Sequence, residues 1–391
     1  MLCAVALAAG CGGSDRRDDG RLGARAISAP AVELRAELAA ALGARPWLVA
    51  LAARTTLVDG AGAPRARAAR RTLDDGSRAL AEQLGAALGD RVQARSLTLL
   101  RRDDALLAAL ARTRALRQPA AAKAVRTSLL ADRRALAALL ATRGRSVREL
   151  ESELAPAARS LTAAVVAVAA GSPRAPASIA ATARRATRPA PGIALAAKRR
   201  RPALTGSPTS PAAELSALAA AAFTDHAYAQ AATDAVVAAG ATKGARLRAA
   251  VGTLDETTDA LAQFVAAVHG EDAGERFALL WRAHTVAFAD YTRAKVNGDP
   301  IVAQRALSEL ARFRRQTATL FDELDPEGSP RGLAAALTVH VDTTTAAIRA
   351  QVAKSPKLGP RLLLAADAAR GVGRALAIRF ARQFPEKLPA G

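Results

Sequence analysis

Apolar residues recur along most of this chain with the 3, 4, 7 spacing of one helical face, and glycine and proline separate the long alanine- and leucine-rich runs. Capping residues stand directly before a proline at Ser210, Asp299 and Ser329, which is a usual beginning for an α-helix. Breaks near Gly240 and Gly298 are typical of helix ends. The pattern predicts six helices in the second half, near residues 212–239, 243–269, 271–297, 299–324, 330–353 and 358–384.

The chain resembles itself when it is shifted by 181 residues. Residues 69–90 align with the segment around 253–271, and after a two-residue slip the register continues with Leu150 on Leu333. Such repeats bury their apolar faces against neighbouring copies. We therefore predict an all-α fold of two tandem, homologous up-and-down bundles, each of three helical hairpins or about six helices. Their ranges are 31–186 for a degenerate first domain, 187–211 for a linker rich in Pro, Ser and basic residues, and 212–389 for the second domain.

Three of the four histidines take corresponding places in the second half. His226, His284 and His340 are 58 and 56 residues apart, and each lies on the apolar face of its helix. If the hairpins close around a pseudo-threefold axis, the three imidazoles converge at one height. If the hairpins stack as an open array, their neighbours hold the imidazoles roughly 10 Å or more apart. The matching places in the first half hold Arg45, Asp103 and Ala157.

Composition agrees with helices throughout, because 51% of the 391 residues are hydrophobic and only 3% are aromatic. The net charge of +21 comes mostly from arginines that are scattered along the helices. Nucleic acid is not predicted as a partner, since few aromatic rings are present to stack on bases and the arginines form no single stripe. The charge favours an anionic envelope surface, and the oligomeric state stays open.

A short apolar run at the N-terminus stops at Cys11, before a Gly/Ser/Asp stretch, and it is too short to span a bilayer. This arrangement resembles the lipobox of bacterial lipoproteins. We predict a signal peptide at 1–11 that ends at a lipidated Cys11, a flexible tether at 12–30, and an extracytoplasmic, membrane-anchored location. An ordinary alanine-rich N-terminus is the alternative. Both cysteines, Cys3 and Cys11, lie in this leader, so the predicted domains hold no disulfide.

Rare residues gather in the second half as LWRAH at 280–284 and DYT at 290–292, with TLDETTDAL before them and ARQFPEKL near the end of the chain. These motifs resemble a family of secreted or lipid-anchored bacterial helical-bundle proteins that is sometimes labelled copper-amine-oxidase-like. The resemblance covers about 212–389, and it reaches the first half only through the duplication. It implies histidines at the positions of His226, His284 and His340. The family's further His/Met run is replaced in this chain by Ala-Arg-Gly around Arg370, and an arginine would repel a cation.

Two interpretations of the histidine layer follow. In the first, the three imidazoles ligate Zn²⁺ or Cu²⁺, and Asp255, Glu256 or water completes the coordination. In the second, the chain holds no metal, and Thr258, Tyr291 or backbone carbonyls satisfy three buried histidines inherited from one ancestral hairpin.

No Ser-His-Asp or Cys-His set stands out in the sequence, so an enzyme is not supported. The expected function is that of a cell-envelope lipoprotein, a non-enzymatic binding or structural bundle of unknown ligand, anchored in the membrane by its lipid. Divalent metal binding through the histidine layer is the alternative. Because the second half holds a complete set of helix signals, we also expect residues 205–391 to fold alone.

Overall fold

The computed structural model of the protein describes residues 23–142, 144–241, 243–328 and 330–389, which form helices and no β-strand. The all-α prediction is therefore confirmed. The predicted signal peptide, Cys11 and residues 12–22 of the predicted tether lie outside the described residues. The rest of that tether is not a flexible chain, because residues 23–27 are helical and the apolar side chain of Ile27 is buried in the core of the second half.

Glycine and proline set the bounds of the helices in the first half. Gly60 and Gly89 end the first two helices with φ of 86° and 102°, a backbone conformation that other residues rarely adopt. Proline occupies the first position of three of these helices, where its missing N–H has no partner to lose. The helices are α1 (Pro30–Asp59), α2 (Pro64–Leu88), α3 (Asp90–Ala115), α4 (Pro119–Leu140), α5 (Val147–Ala169), α6 (Ala175–Ala186) and α7 (Ala190–Arg200).

The segment predicted as a linker, 187–211, is helical over α7. Ile193 and Ala194 of this helix are buried against the neighbouring helices of the first half, which explains why the segment is ordered. Pro189 and Pro191 lie at the α6–α7 break, and neither residue has a backbone N–H to continue a helix. Together, α6 and α7 of the first half correspond to the single last helix of the second half.

The six helices predicted for the second half are all present, with ends within about two residues of the predicted ones. Ser210 and Asp299 cap their helices as predicted, with side-chain oxygens that accept hydrogen bonds from backbone N–H groups, whereas Ser329 lies outside the described residues. The helices are α8 (Pro211–Ala238), α9 (Ala245–His269), α10 (Glu271–Asn297), α11 (Pro300–Leu324), α12 (Pro330–Val352) and α13 (Leu358–Gln383).

The hairpins of the second half close into a bundle rather than an open array. Helices α8, α10 and α12 all contact one another, and the last helix, α13, returns to contact α8. The first half repeats this arrangement, since α1, α3 and α5 contact one another and α6 contacts α1. Closure brings the first, third and fifth helices of each half to its centre, where their apolar faces meet.

The two halves lie side by side, with α1 packed along α8. Val32 contacts the residue 181 positions later, Ala213, and farther along the same two helices Trp47 stacks on its own counterpart, Tyr228. The helices are therefore parallel, and each meets its copy at the same height. The remaining contacts are paired in the same way, because α2 contacts α13 and α9 contacts α6. The halves are thus related by a pseudo-twofold axis that runs along the α1–α8 contact.

One hydrophobic cluster includes residues of both halves. It joins Trp47 and Leu48 of α1 to Tyr228 of α8 and Leu362 of α13. By length and composition alone, α1 would also reach across a membrane, yet 67% of its most apolar window is buried inside the protein. We attribute its apolar character to this position between two bundles. The two predicted domains therefore share part of their core.

Candidate functional site

The closed second bundle brings the three predicted histidines together. His226 of α8, His284 of α10 and His340 of α12 form a layer in which the ring centroids lie 5.7 Å apart for His226 and His284 and 5.8 Å apart for His284 and His340. None of the three side chains is more than 2% exposed. The sequence was right that equivalent turns of the hairpins would place these rings at one height.

Trp281 organises the hydrogen bonds of this layer. Its indole N–H donates to Nε2 of His226 at 3.0 Å, while Nδ1 of His226 lies 3.2 Å from the hydroxyl of Thr257. Since Nε2 accepts, Nδ1 carries the proton and donates to that hydroxyl. Nδ1 of His284 faces the carbonyl oxygen of Trp281. Thr258, expected as a partner, instead donates to the carbonyl of Leu254, one turn away in its own helix.

Aromatic rings surround the other imidazole nitrogens. Nε2 of His284 and both nitrogens of His340 are buried without a hydrogen-bond partner among the described residues. Phe313 stacks on His284 at 4.4 Å, and Trp281 lies parallel to His340 at 6.1 Å. Burial lowers the pKa of His226 to about 3 and that of His340 to about 4, and it lowers the pKa of His284 well below 6.5. All three imidazoles are therefore neutral at pH 7.

The layer does not fit a zinc or copper centre. The lone pair of His226 Nε2 already accepts the Trp281 N–H, which leaves two imidazoles where a stable site needs three or four ligands. Asp255 is half-buried; burial raises its pKa, and the charges that act on it belong to Arg282 and Asp259. The described part of the chain contains no group of three or more His, Cys, Asp or Glu side chains that would hold a metal ion.

In the first half, charged side chains occupy the layer that corresponds to the histidine layer. Nη2 of Arg45 lies 2.8 Å from a carboxylate oxygen of Asp103 and 2.5 Å from one of Asp104, and Ser77 donates to Asp104 at 2.6 Å. A cavity of about 110 Å³ lies beside this ion pair, lined in part by Ala157. A guanidinium between two carboxylates is a structural substitute for the histidines, with no free ligand atom on the arginine.

Arg370, where the sequence lacks a His/Met run, forms ion pairs that include one with the other half. It forms ion pairs with Glu37 of α1 and with Asp367 of its own helix. Arg374, one turn later, pairs with Glu33. These side chains therefore contribute to the contact between the halves.

A second candidate site, which the sequence did not predict, lies on the pseudo-twofold axis. It is a cavity of about 320 Å³, which we call the junction pocket, between the C-terminal halves of α1 and α8. Its lining includes Trp47, Ala50, Arg54, Thr55, Arg65, Ser172, Ile179, Tyr228, Ala232, Arg246, Gln351 and Leu362.

The two halves line the junction pocket with equivalent residues. Trp47 and Tyr228 are counterparts in the duplication, and their rings stack with centroids 6.3 Å apart and planes 12° apart. Arg65 and Arg246 are also 181 positions apart, and each is the second residue of its helix. Arg54 breaks the symmetry, because its counterpart is an alanine. The pocket therefore has a symmetric apolar part and an additional positive charge on one side.

A buried hydrogen bond fixes the aromatic part of the junction pocket. The indole N–H of Trp47 donates to Asp225 at 2.7 Å, and Arg184 lies 3.7 Å from the same carboxylate group. Burial raises the pKa of Asp225 to about 6. Trp47 and Tyr228 are each only 5% exposed. The rings are thus held in place before any ligand arrives.

The sequence contained one sign of the junction pocket. A shift of 181 residues aligns Trp47 with Tyr228 and Arg65 with Arg246, so the duplicated pairs could be found, but nothing in the alignment shows that the halves meet along α1 and α8. Comparisons of this chain with protein-family models, curated proteins and solved structures found no match.

Proposed function

We propose that the protein is a non-enzymatic binding protein of the cell envelope and that the junction pocket holds its ligand. The observation that carries this proposal is an apolar cavity of about 320 Å³ with an aromatic pair, Trp47 and Tyr228, in its lining. Binding sites for small molecules are concave and mostly apolar, with a few polar groups that orient the ligand, and they begin at roughly 300 Å³. The junction pocket has these properties.

The polar groups of the pocket favour binding over catalysis. They are the three arginines, the hydroxyls of Thr55, Ser172 and Tyr228, and the amide of Gln351. Burial raises the pKa of Tyr228 above its ordinary value, so its hydroxyl stays protonated at neutral pH. Arginine stays protonated at neutral pH and an amide does not titrate, so neither transfers protons as a general base would. A set of fixed donors around an apolar cavity suits recognition of a ligand.

The lipobox-like residues before Cys11 support the proposed envelope location. The position of Gly23 indicates where the pocket would lie in an anchored protein. Gly23 packs against the carbonyl of Ala381, near the end of α13, whereas Leu362 near the start of α13 lines the junction pocket. Nineteen helical residues separate these two positions, which corresponds to about 28 Å. In an anchored protein the pocket would thus lie at the end of the bundle remote from Gly23.

Membrane partitioning tests the anchor. We expect the wild-type chain, expressed with its natural upstream region, to fractionate with membranes and a Cys11→Ala variant to remain soluble, because a lipid chain supplies the membrane affinity. Equal partitioning of the two proteins would remove the anchor from the proposal and leave the pocket untouched.

Binding of a neutral apolar fluorophore, N-phenyl-1-naphthylamine, tests the pocket. We expect saturable fluorescence enhancement with the wild-type protein and a loss of at least about tenfold in affinity for Ala232→Phe, because the larger side chain fills the cavity. Ala120→Phe, on the exposed surface of α4, is the matched control and should bind as the wild type does. Equal binding by both variants, with unchanged circular dichroism, would show that the fluorophore binds elsewhere.

A further inference from the structure

Positive charge is concentrated at the junction pocket. Arg54, Arg65 and Arg246 all line it, and the described lining residues include no carboxylate. One nearby acid offsets part of this charge, since Asp59 lies 3.5 Å from Arg65. Arg54 and Arg246 are exposed at the mouth of the pocket and Arg65 is half-buried. Partial desolvation and then the charges of Arg65 and Arg246 lower the pKa of Arg54, whereas Asp59 raises it.

The donors of these arginines are largely unused. Arg54 forms no hydrogen bond or ion pair with any described residue, and Arg246 makes only a long contact of 3.4 Å with the carbonyl of Gly171. A guanidinium offers a planar set of donors that matches a carboxylate or a phosphate. An anion held between the three side chains would relieve their mutual repulsion and occupy these donors.

The helices add to the same field. Arg65 and Arg246 lie in the first turns of α2 and α9, and neither turn contains an acidic residue. The N-terminal end of a helix carries partial positive charge and free N–H groups. Because the duplication supplies one such turn from each half, the first turns of two helices each contribute an arginine to the lining of the pocket.

The apolar part of the junction pocket sets the size of the ligand. A dry apolar cavity of about 150 Å³ accommodates one benzene ring. The cavity of about 320 Å³ therefore corresponds to roughly twelve carbon atoms by the same measure. This is enough for one alkyl chain of medium length, and too small for the two chains of a membrane phospholipid.

Building on the proposed function, we infer that the junction pocket binds a single-chain amphiphile with an anionic head group, a carboxylate or a phosphate. The tail lies on the Trp47–Tyr228 pair, and the head group lies among Arg54, Arg65 and Arg246. Affinity rises with every methylene that leaves water, so the tail supplies most of the affinity and the arginines select the charge of the head.

Decanoate, decyl phosphate and decan-1-ol share a ten-carbon chain and differ in their head groups. Comparing their affinities separates the contribution of head-group charge from that of the apolar chain. Their affinities for the full-length protein are measured by calorimetry and by the fluorescence of Trp47, the tryptophan that lines the pocket. We expect the two anionic probes to bind at least about tenfold more tightly than decan-1-ol, an advantage that shrinks as salt is added. Trp47→Phe should remove the fluorescence change and leave the heat of binding.

The arginine variants test the head-group site. Arg54→Gln, Arg65→Gln and Arg246→Gln combined should reduce the affinity for decanoate and decyl phosphate to that for decan-1-ol, and this variant should leave decan-1-ol binding unchanged. Arg305→Gln, an exposed arginine of α11 outside the pocket, is the control and should alter none of these affinities. Thermal melts of all variants establish that they are folded.

The outcomes test the anionic head group, the apolar tail and the binding role of the junction pocket separately. If decan-1-ol binds as tightly as decanoate, the pocket is a purely apolar site, and the inference that its ligand carries an anionic head group is wrong. If inorganic phosphate or acetate displaces decanoate at comparable concentration, the site binds a free anion, and the inference that its ligand carries an apolar tail is wrong. If no probe binds to the folded wild-type protein, both the inference and the proposed pocket are overturned.

Discussion

His226 and His340 take corresponding turns of a duplicated hairpin, yet their hydrogen bonding is opposite. His226 accepts from Trp281 and donates to Thr257, whereas His340 has no partner on either nitrogen among the described residues. A buried polar group without a partner costs about 1–3 kcal/mol, so His340 is a source of instability within the core.

We predict that His340→Leu stabilises the protein, because leucine has a similar volume and no polar atom to desolvate. The gain should grow as the pH falls. The pKa of His340 in the fold is about 4, below the unfolded value of about 6.5, so the unfolded chain takes up a proton first and the wild type loses stability between these two values. Chemical unfolding at pH 8 and pH 5 measures the difference.

His226→Leu is the matched control for that change. It should destabilise the protein by about 1–3 kcal/mol, since the indole N–H of Trp281 is left without its acceptor. Both measurements are repeated with a chelator and with added Zn²⁺ or Cu²⁺. A metal-dependent rise in wild-type stability that His340→Leu removes would contradict a metal-free histidine layer and restore a metal site.

The sequence predicted the position of these side chains better than their partners. Helical periodicity and the spacing of the repeats placed His226, His284 and His340 on buried faces at matching turns, but they left open whether the hairpins close and bring the three rings together. The partner of His226 depends on the rotamer of Trp281, which is set by packing against rings such as Phe277 and Phe313 from two helices. Periodicity carries no information on such rotamers.

At the scale of the helices, two glycines show how closely neighbours approach. A Cβ at Gly274 in α10 would lie 2.8 Å from the Cβ of Ala266 and 2.9 Å from the carbonyl oxygen of Ala262, both in α9. A Cβ at Gly252, in the exposed part of α9, would meet no atom within 4 Å. Gly274 therefore permits a close contact between helices, whereas no neighbouring helix approaches Gly252.

We predict opposite effects for the same substitution at these two positions. Gly274→Ala should destabilise the protein by about 1–3 kcal/mol, because backbone atoms must move apart. Gly252→Ala should stabilise it by up to about 1 kcal/mol, because alanine is the better helix former. Thermal melts of both variants test this, and a destabilising Gly252→Ala would contradict the exposed position assigned to it.

Helix ends were the most predictable part of the fold, since Gly, Pro and capping residues determine them locally. Ser210 and Asp299 illustrate this, because each acts through its own next few residues. The segment 187–211 was harder to predict. Its prolines and basic residues are typical of a linker, but the burial of Ile193 and Ala194 against the first half stabilises a helix that local composition alone does not predict.

The contact of α1 with α8 joins the two halves of the protein. Ala213, Ala220 and Tyr228 on α8 are buried against the first half and would be exposed without it. The sequence showed two related halves, but their mutual orientation depends on which faces are complementary in three dimensions. For this reason the junction pocket could not be predicted.

We predict that residues 205–391 alone fold and form a homodimer, with α8 of one copy against α8 of the other. The apolar face that α1 covers is complementary to a related face, and burying it again removes it from water. Size-exclusion chromatography with light scattering measures the mass, and circular dichroism shows the helical content. Ala220→Arg should give a folded monomer, and a monomeric wild-type fragment would contradict the prediction.

The asymmetry of Arg54 has a consequence for how such a site is inherited. In a dimer of two identical chains, every amino-acid change near the twofold axis occurs twice, so an arginine at this place would face a second arginine. In the joined chain the counterpart is Ala235, and one side changed without the other. Duplication within one gene thus allows a binding site on a symmetry axis to become asymmetric. A ligand with two unlike ends then binds in only one orientation.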